Sequence, residues 1–191
     1  MTVITALLGS VTPPGRLSSA VSGALAGAQA VGHAVELVDL GTLAVSFADG
    51  RPLDQLSDDT PKLVNAILAA EAVILATPVY RGTLTGALKN ALDLLPIEAL
   101  QGKPVAIVAM GATLHHYLGA ESHLRDILAW FGALTLPTGV YLSSADFQDG
   151  VLTEQAAATL DELVAALASF SLAAKNGLAL GPAPLAAPRK S

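Results

Sequence analysis

The stretch LATPVYRGTLTGALKNALD, residues 75–93, changes character twice along its length. It starts inside an apolar run, passes through Pro78 and Tyr80 into a segment with two glycines, and ends in a pattern typical of a helix. An apolar run without alternation is typical of a strand buried on both faces, as in a parallel sheet between two helix layers. The stretch therefore predicts a strand–loop–helix unit whose loop lies at the carboxyl end of a buried strand.

The same alternation of apolar runs and helical segments recurs along the chain. Five such units predict an α/β fold, a doubly wound five-stranded parallel sheet of order 2-1-3-4-5 with helices on both faces. Thr60 before Pro61, and Thr153 before Glu154, are candidate helix N-caps, and residues 41–55 are predicted as loop. The predicted strands are 3–8, 34–40, 72–77, 104–110 and 134–142, and the predicted helices are 17–31, 60–71, 84–95, 114–131 and 153–175.

Length and composition favour one domain. The chain has 191 residues and is 52% hydrophobic and 14% charged, and this apolar surplus suits helices on both faces of a buried sheet, or extra surface buried in an oligomer. We predict a domain over residues 1–175 and an irregular or disordered tail over 176–191, which is rich in proline and alanine. The chain has no cysteine, which excludes a disulfide framework and thiolate chemistry.

Charge and hydropathy argue against two classes of partner. The net charge is −6 and the 10 lysines and arginines form no basic stripe, so nucleic-acid binding is not expected. No apolar run of about 18 residues is free of polar interruptions, and the N-terminus lacks a basic segment. The sequence therefore predicts neither a membrane span nor a signal peptide, and a cytoplasmic location is the default.

Three predicted loops leave the carboxyl ends of strands at the switch in strand order, where open α/β sheets bind ligands. The first, residues 9–16, combines Gly9, hydroxyl groups and a cation with the start of a helix, whose free N–H groups favour an anion. It matches neither a Walker A loop nor GxGxxG, so a monophosphate site and an ordinary capped polar loop remain equally compatible with it. The candidate phosphate-binding residues are Ser10, Thr12, Arg16, Leu17 and Ser18.

The second loop follows the strand of the opening stretch and suits a flat, hydrogen-bonding heterocycle. Tyr80 lies where side chains face the crevice, and it shares that rim with the first loop, which favours a ligand contact over a half-buried structural role. Lys89 and Asp93 are instead expected to form a surface pair or a subunit contact. The candidate ligand-binding residues are Pro78, Val79, Tyr80, Arg81 and Gly82.

The third loop contributes Gly111, Ala112 and Thr113, whose small side chains leave room for a ring. The histidines that follow do not form a metal site: His115 and His116 diverge by roughly 100° on a helix, and His123 lies too far along the chain. No HxxxH or HExxH pairing occurs, and no GxSxG motif supports a Ser–His–Asp hydrolase. We expect these histidines at surface or interface positions.

The three loops together carry a recognisable set of motifs. GSxxxxxRxS after the first strand, ATPVYxGxxxGALKxxLDLLP after the third and GxT after the fourth resemble the flavodoxin-like NADPH-dependent FMN reductases. The resemblance covers about residues 2–145 and is strongest to the flavin reductases of two-component alkanesulfonate monooxygenase systems. It implies NAD(P)H-dependent hydride transfer from a nicotinamide to FMN, which needs no acid–base residue of the protein. It also implies a homodimer or homotetramer, with the helices after strands three and four at the interface.

The resemblance also implies contacts to the FMN phosphate, to the isoalloxazine ring and ribityl chain, and to the other edge of the ring. The implied phosphate contacts are Ser10, Arg16 and Ser18. The implied contacts to the ring and ribityl chain are Pro78, Val79 and Tyr80, with Arg81 and Gly82 closing the loop. The implied contacts to the other edge of the ring are Gly111 and Thr113.

The sequence departs from the family pattern in its tail and at three places in the domain. Thr12 stands where many relatives carry a basic residue, and Ala112 where many carry a second glycine. Ser122 and His123 occupy the region where sulfonate-type reductases can carry a tyrosine linked to loose flavin binding. These departures leave open whether FMN is a releasable substrate or a bound prosthetic group.

Alternatives within the same fold remain. One is a quinone, azo-dye or metal-ion reductase with tightly held FMN, and another is a non-enzymatic electron carrier of flavodoxin type. The carrier is less favoured, because carriers need no space for a nicotinamide and are usually strongly acidic. A phospho-acceptor receiver domain needs clustered carboxylates at the strand ends, and the first loop has none.

Overall fold

Six parallel strands form the central sheet of the computed structural model, which describes residues 1–12, 14–114 and 117–177. The strands are β1 (Val3–Leu8), β2 (Ala34–Asp39), β3 (Ala72–Pro78), β4 (Pro104–Met110), β5 (Leu134–Thr135) and β6 (Val140–Leu142). Their order is β2-β1-β3-β4-β5, and β6 pairs with the carboxyl half of β4. This order confirms the predicted doubly wound α/β sheet, with its topological switch at β1 and β3.

Five α-helices cover the two faces of the sheet within the described part of the chain. They are α1 (Arg16–Ala30), α2 (Thr60–Ala69), α3 (Gly86–Asp93), α4 (Tyr117–Phe131) and α5 (Glu154–Lys175). Along β1 the side chains alternate: Ile4 and Leu8 join the core under α1 and α5, and Leu7 joins the core under α2, α3 and α4. Both faces of the strand are therefore buried, which is why its sequence is uniformly apolar.

The predicted fifth strand, residues 134–142, is wrong as a continuous strand. The structure has β5 and β6 there, separated by four residues that include Pro137 and Gly139. Proline cannot donate to a ladder, and a Cβ on Gly139 would lie 3.0 Å from the Ile107 carbonyl oxygen. The carbonyls of Leu136 and Pro137 accept from Nη2 of Arg125 on α4, each at 2.8 Å. The interruption is thus a specific, hydrogen-bonded feature that sets where β6 begins.

Most other predicted boundaries differ from the structure by one or two residues. The helix predicted over 84–95 spans Gly86–Asp93 and is capped by Thr85, whose hydroxyl accepts from the Leu88 N–H at 3.0 Å. Thr60 was predicted as a cap but starts α2 itself, and its N–H donates to Oδ1 of Asp58 at 2.9 Å. Thr153 is confirmed as the cap of α5, since its hydroxyl accepts from the Ala156 N–H at 3.4 Å.

Several short elements lie in segments for which no such element was predicted. Residues Leu53–Gln55 form one 3₁₀ turn inside the segment predicted as loop, and Ile97–Ala99 form another after α3. After β6, a two-stranded hairpin pairs β7 (Phe147–Gln148) with β8 (Val151–Leu152). Its turn residues Asp149 and Gly150 have φ of 50° and 80°, as the Asp-Gly turn of a tight hairpin requires.

Helix α5 is long and apolar enough, by length and composition, to cross a membrane: it has 22 residues, and an 18-residue window within it has a mean hydropathy of 1.4. Its apolar stripe is nevertheless part of the protein core, where Leu160, Val164 and Leu167 pack with residues of α1 and the sheet. Such burial is typical of a core helix in an α/β protein. The helix ends at Lys175, and of the predicted tail 176–191 only Asn176 and Gly177 are among the described residues.

Candidate functional site

Two neighbouring cavities lie at the carboxyl edge of the sheet. The first, of about 320 Å³, lies between the loop after β1 and the end of β3, and the second, of about 530 Å³, lies between the loops after β3 and β4. Both volumes are in the range of small-molecule sites. Every residue that the sequence nominates lines one of them: Ser10, Thr12, Arg16, Leu17, Ser18, Pro78 and Tyr80 the first, and Val79, Arg81, Gly82, Gly111, Ala112 and Thr113 the second.

The first cavity has the electrostatics of an anion site. Helix α1 begins at Arg16 after Gly15, and within the described residues no side chain caps this helix end and no acidic residue lies in its first turn. The described lining of the cavity also contains no aspartate or glutamate. Helix N–H groups without a side-chain cap, beside an arginine and several hydroxyls, suit a phosphate monoester.

Arg16 is held by the segment that follows β6. Its Nη2 donates to the Ser144 hydroxyl at 3.5 Å, and its guanidinium lies 5.2 Å from the ring centre of Phe147, in cation–π contact. Phe147 is the first residue of the β7–β8 hairpin, so this hairpin positions the cation of the first cavity. Sequence reasoning missed both contacts, although Asp149-Gly150 was a hairpin signal in the sequence.

The hydroxyls of the first loop form a pair. Ser10 Oγ and Thr12 Oγ1 are 2.8 Å apart. A Cβ on Gly41, at the carboxyl end of β2, would lie 3.2 Å from the Ser10 carbonyl oxygen and 3.3 Å from that of Thr12. The turn after β2 therefore packs directly against the backbone of this loop.

A buried threonine network ties the first loop to the second. The Thr85 hydroxyl donates to the Gly9 carbonyl oxygen, and the Thr85 N–H donates to Thr77 Oγ1 at 3.2 Å. Gly9 permits this close approach, since a Cβ there would lie 2.6 Å from the Cβ of Leu88. Both threonines are fully or almost fully buried, and buried polar groups that satisfy each other hold neighbouring segments in one arrangement.

The second loop ends in a two-residue turn. Tyr80 and Thr83 pair through two backbone hydrogen bonds of 2.9 and 3.3 Å, and the residues between them, Arg81 and Gly82, have φ of 54° and 81°. Positive φ at both central positions is the pattern of a type I′ turn. The turn leaves the Tyr80 ring 50% exposed at the mouth of the first cavity and places Arg81 and Gly82 on the second.

Helix α4 braces this turn from behind. A Cβ on Gly119 would lie 2.1 Å from the Gly82 carbonyl oxygen, so only glycine allows the helix to come this close. One turn further along, His123 Nδ1 lies 2.6 Å from Thr83 Oγ1. His123, expected at a surface or interface position, thus contacts the turn that borders the second cavity; His115 and His116 lie outside the described residues.

The far wall of the second cavity includes Tyr141, which sequence reasoning missed. Its hydroxyl donates to the Thr113 carbonyl oxygen at 2.7 Å, and burial raises the pKa of this phenol. Nothing in the sequence around Tyr141 marks it as a site residue. It reaches the cavity only because β6 pairs with the end of β4.

A further cavity, of about 580 Å³, lies at the opposite edge of the sheet between α1 and α5. Its lining is mostly apolar, and the ionisable side chains that the structure describes there are those of His33 and Asp161. Within the described lining it has no arginine, unlike either cavity at the carboxyl edge.

Comparison with known proteins identifies the family. The model of the family described as NADPH-dependent FMN reductase matches residues 2–148. The chain belongs to this family. The loops that line both cavities fall inside the matched range. The resemblance from which the site residues were nominated therefore reflects membership of this family.

Individual relatives agree with this assignment. An NAD(P)H-dependent FAD/FMN reductase of Geobacillus thermodenitrificans is 36% identical over 115 residues, which are 60% of this chain and 62% of the relative. An NADH-dependent FMN reductase of Pseudomonas putida is 30% identical over 163 residues, 85% of this chain and 88% of the relative. The match thus spans less than two thirds of the Geobacillus protein and most of the Pseudomonas protein.

A solved structure shows the same fold. Apo NADH:FMN oxidoreductase EmoB superposes on this family member with a TM-score of 0.78 at 23% identity, covering 98% of this chain and 97% of that one. At this level of identity the likeness concerns the arrangement of strands and helices. It agrees with the strand order β2-β1-β3-β4-β5 described above.

Proposed function

We propose that this member of the family catalyses NAD(P)H-dependent reduction of FMN. The observation that carries the proposal is the pair of adjoining cavities at the carboxyl edge of the sheet, which together are lined by every candidate cofactor-binding residue nominated above. One cavity has the charge and hydroxyls suited to a phosphate, and the other has space beside small residues for a flat ring.

In this proposal the first cavity takes the FMN phosphate. The N–H groups of the first turn of α1 and the Arg16 guanidinium supply the positive potential, and the hydroxyls of Ser10, Thr12 and Ser18 supply directional hydrogen bonds. Leu17 lines the same cavity through its place in the first helical turn. Thr12 thereby contributes a neutral hydroxyl where many relatives carry a cation, so more of the electrostatic attraction rests on Arg16.

The ring and ribityl chain would lie along the second loop. Pro78, Val79 and Tyr80 form the wall that joins the two cavities. Small residues leave open the space on the other side, and the network of Thr77 and Thr85 holds the wall in place. The remaining ring-edge residues in this proposal are Arg81, Gly82, Gly111, Ala112 and Thr113.

The chemistry would come from the cofactor: when bound, FMN accepts a hydride from a reduced nicotinamide. The residues of the chain bind and orient the two nucleotides and shape the cavity around the reacting ring. Arg81 points to a preference for NADPH, since a guanidinium beside the second cavity suits a ribose 2′-phosphate. Neither role requires a side chain that gives or takes a proton.

Assembly and location belong to the same proposal. We place residues 1–175 in one FMN-binding domain of a cytoplasmic homodimer or homotetramer that supplies reduced flavin to a partner monooxygenase. A cavity of about 400 Å³ between α3 and α4, beside the 56% exposed Trp130, supports a subunit contact there. Lys89 and Asp93, which form an exposed ion pair at 2.6 Å, line the same cavity.

The proposal is tested by FMN binding to an Arg16→Ala variant. Loss of a charge-assisted hydrogen bond to the phosphate is expected to raise the FMN dissociation constant by roughly tenfold or more. Arg51→Ala is the matched control, because Arg51 pairs with Asp49 at the surface. Titration of flavin fluorescence measures both. Unchanged affinity in the Arg16 variant would remove Arg16 from the site.

Gel filtration separates the two modes of FMN use. A releasable substrate dissociates during the run, and the purified protein emerges colourless. Protein that stays yellow would favour the alternative, a quinone, azo-dye or metal-ion reductase with FMN as a prosthetic group.

A further inference from the structure

We propose that Tyr141 is a positioning residue of the second cavity, which fixes the Gly111–Thr113 segment at the separation from the Tyr80–Thr83 turn that the flavin ring requires. The proposal rests on the FMN site described under Proposed function. It assigns a role to a residue outside all three nominated loops.

The interruption between β5 and β6 decides where along β4 Tyr141 lies, since the register moves from Thr135 opposite Val105 to Val140 opposite Val108. In β6, Tyr141 pairs with Ala109 of β4, while its neighbours Val140 and Leu142 are buried in the core under α1 and α5. Because side chains alternate along a strand, Tyr141 projects from the other face of the sheet. A slip of one residue between β5 and β6 would instead place the Tyr141 side chain in the core under α1 and α5.

Tyr141 then holds the third loop at two places. Its hydroxyl donates to the Thr113 carbonyl oxygen at 2.7 Å, and its oxygen lies 2.0 Å from the position that a Cβ on Gly111 would occupy. At its start the segment is tied to β6 by the Gly111 N–H, which donates to the Leu142 carbonyl oxygen at 3.0 Å. The phenol therefore lies directly against the loop, and Gly111 is the residue that makes room for it.

The environment keeps this hydrogen bond in one state. Burial raises the pKa of the Tyr141 phenol above its usual value of about 10, so the group remains a proton donor over the physiological range. In contrast, the side chains of Ala112 and Thr113 are exposed. The hydrogen bonds from the Gly111 N–H to Leu142 and from the Tyr141 hydroxyl to the Thr113 carbonyl hold the backbone of this wall.

The first test is Tyr141→Phe, which keeps the ring and removes the donor. Loss of one hydrogen bond predicts an FMN dissociation constant raised by about threefold to tenfold, with kcat at saturating FMN unchanged. Thr159→Val is the matched control, because it removes a hydroxyl-to-carbonyl bond to Gln155 within α5. A purely structural role would lower the free energy of unfolding and leave the affinity of the folded protein intact, and that result would overturn the proposal.

A double-mutant cycle with Gly111→Ala sharpens the test. In the presence of the Tyr141 hydroxyl the added methyl meets oxygen at 2.0 Å, whereas without it the nearest atom is the ring carbon Cζ at 3.1 Å. Gly111→Ala is therefore expected to weaken FMN binding at least tenfold in the wild-type background and markedly less in the Tyr141→Phe background. Equal losses in both backgrounds would contradict the proposed packing of Tyr141 against Gly111.

The outcomes for this inference and for the proposed function are distinguishable. If the wild-type protein binds FMN and Arg16→Ala weakens binding, but Tyr141→Phe binds as tightly as wild type, only the role of Tyr141 fails. If the wild-type protein binds no FMN, the proposed function itself fails.

Discussion

At the scale of single residues, two helical glycines have opposite surroundings. Gly119 in α4 lies against the Gly82 carbonyl, where a Cβ would come within 2.1 Å of the oxygen. Gly23 in α1 has nothing within 4 Å of the position of an added Cβ. The same substitution by alanine is therefore expected to act in opposite directions at these two positions.

Gly119→Ala is predicted to lower the free energy of unfolding by about 1–3 kcal/mol, because the helix or the Tyr80–Thr83 turn must move. Gly23→Ala is predicted to raise it by about 0.5–1 kcal/mol, since alanine favours the helix over the unfolded chain. Urea denaturation measures both values. An unchanged free energy of unfolding in Gly119→Ala would show that α4 does not brace the turn as closely as the structure indicates.

Contacts of this kind explain which site residues could be predicted from sequence. Arg16 and Tyr80 follow strands and carry ligand-type side chains, so their positions were evident from the order of elements. Tyr141, Phe147 and Gly119 act through neighbours that are distant in sequence. Their roles depend on packing between elements, which no local pattern in the sequence records.

At the scale of elements, the carboxyl end of α2 is bound by a lysine that immediately precedes β4. Lys103 Nζ donates to the carbonyl oxygens of Ile67 and Leu68, at 2.6 and 3.3 Å. A cation at this end also interacts favourably with the helix dipole. Burial lowers the pKa of the Lys103 ammonium group to about 8.

This lowered pKa predicts a pH dependence of stability. An unfolded lysine has a pKa of about 10.4, so between pH 8 and that value the unfolded chain binds more protons than the folded protein at this position. The contribution of Lys103 to the free energy of unfolding therefore rises with pH through this window. Because the side chain is only partly buried, the slope stays well below the limit of about 1.4 kcal/mol per pH unit for one proton.

Lys103→Met is expected to remove that rise, while Lys62→Met, at an exposed position of α2, leaves it in place. Denaturation curves at pH 7, 8, 9 and 10 for the three proteins would show whether the difference between wild type and Lys103→Met grows with pH. A constant difference would mean that Lys103 titrates normally in the folded state.

The elements also show where sequence patterns reach their limit. The order of strands and helices followed from apolar runs, because burial on both faces leaves a strong signal. The bounds of the fifth strand did not follow from its apolar run, because its interruption is stabilised by Arg125 from another element. The β7–β8 hairpin was missed for a different reason: its Asp-Gly signal was present but its strands have only two residues each.

At the scale of the whole molecule, the carboxyl edge of the sheet gathers three loops, a helix start and two arginines around adjoining cavities. The elements behind these loops hold them: Thr77 and Thr85 between β3 and α3, α4 behind the turn, and β6 behind the third loop. We therefore expect a largely preformed site, which orients flavin and nicotinamide without catalytic acids or bases.

The most direct test of the central claim is the rate of NADPH oxidation by the purified protein, with and without added FMN. We expect FMN to accelerate oxidation in a saturable manner, and Arg16→Ala to need roughly tenfold more FMN, or more, to reach half the maximal rate. The contradicting result is a protein that binds no FMN and oxidises NADPH at the same rate whether FMN is present or absent.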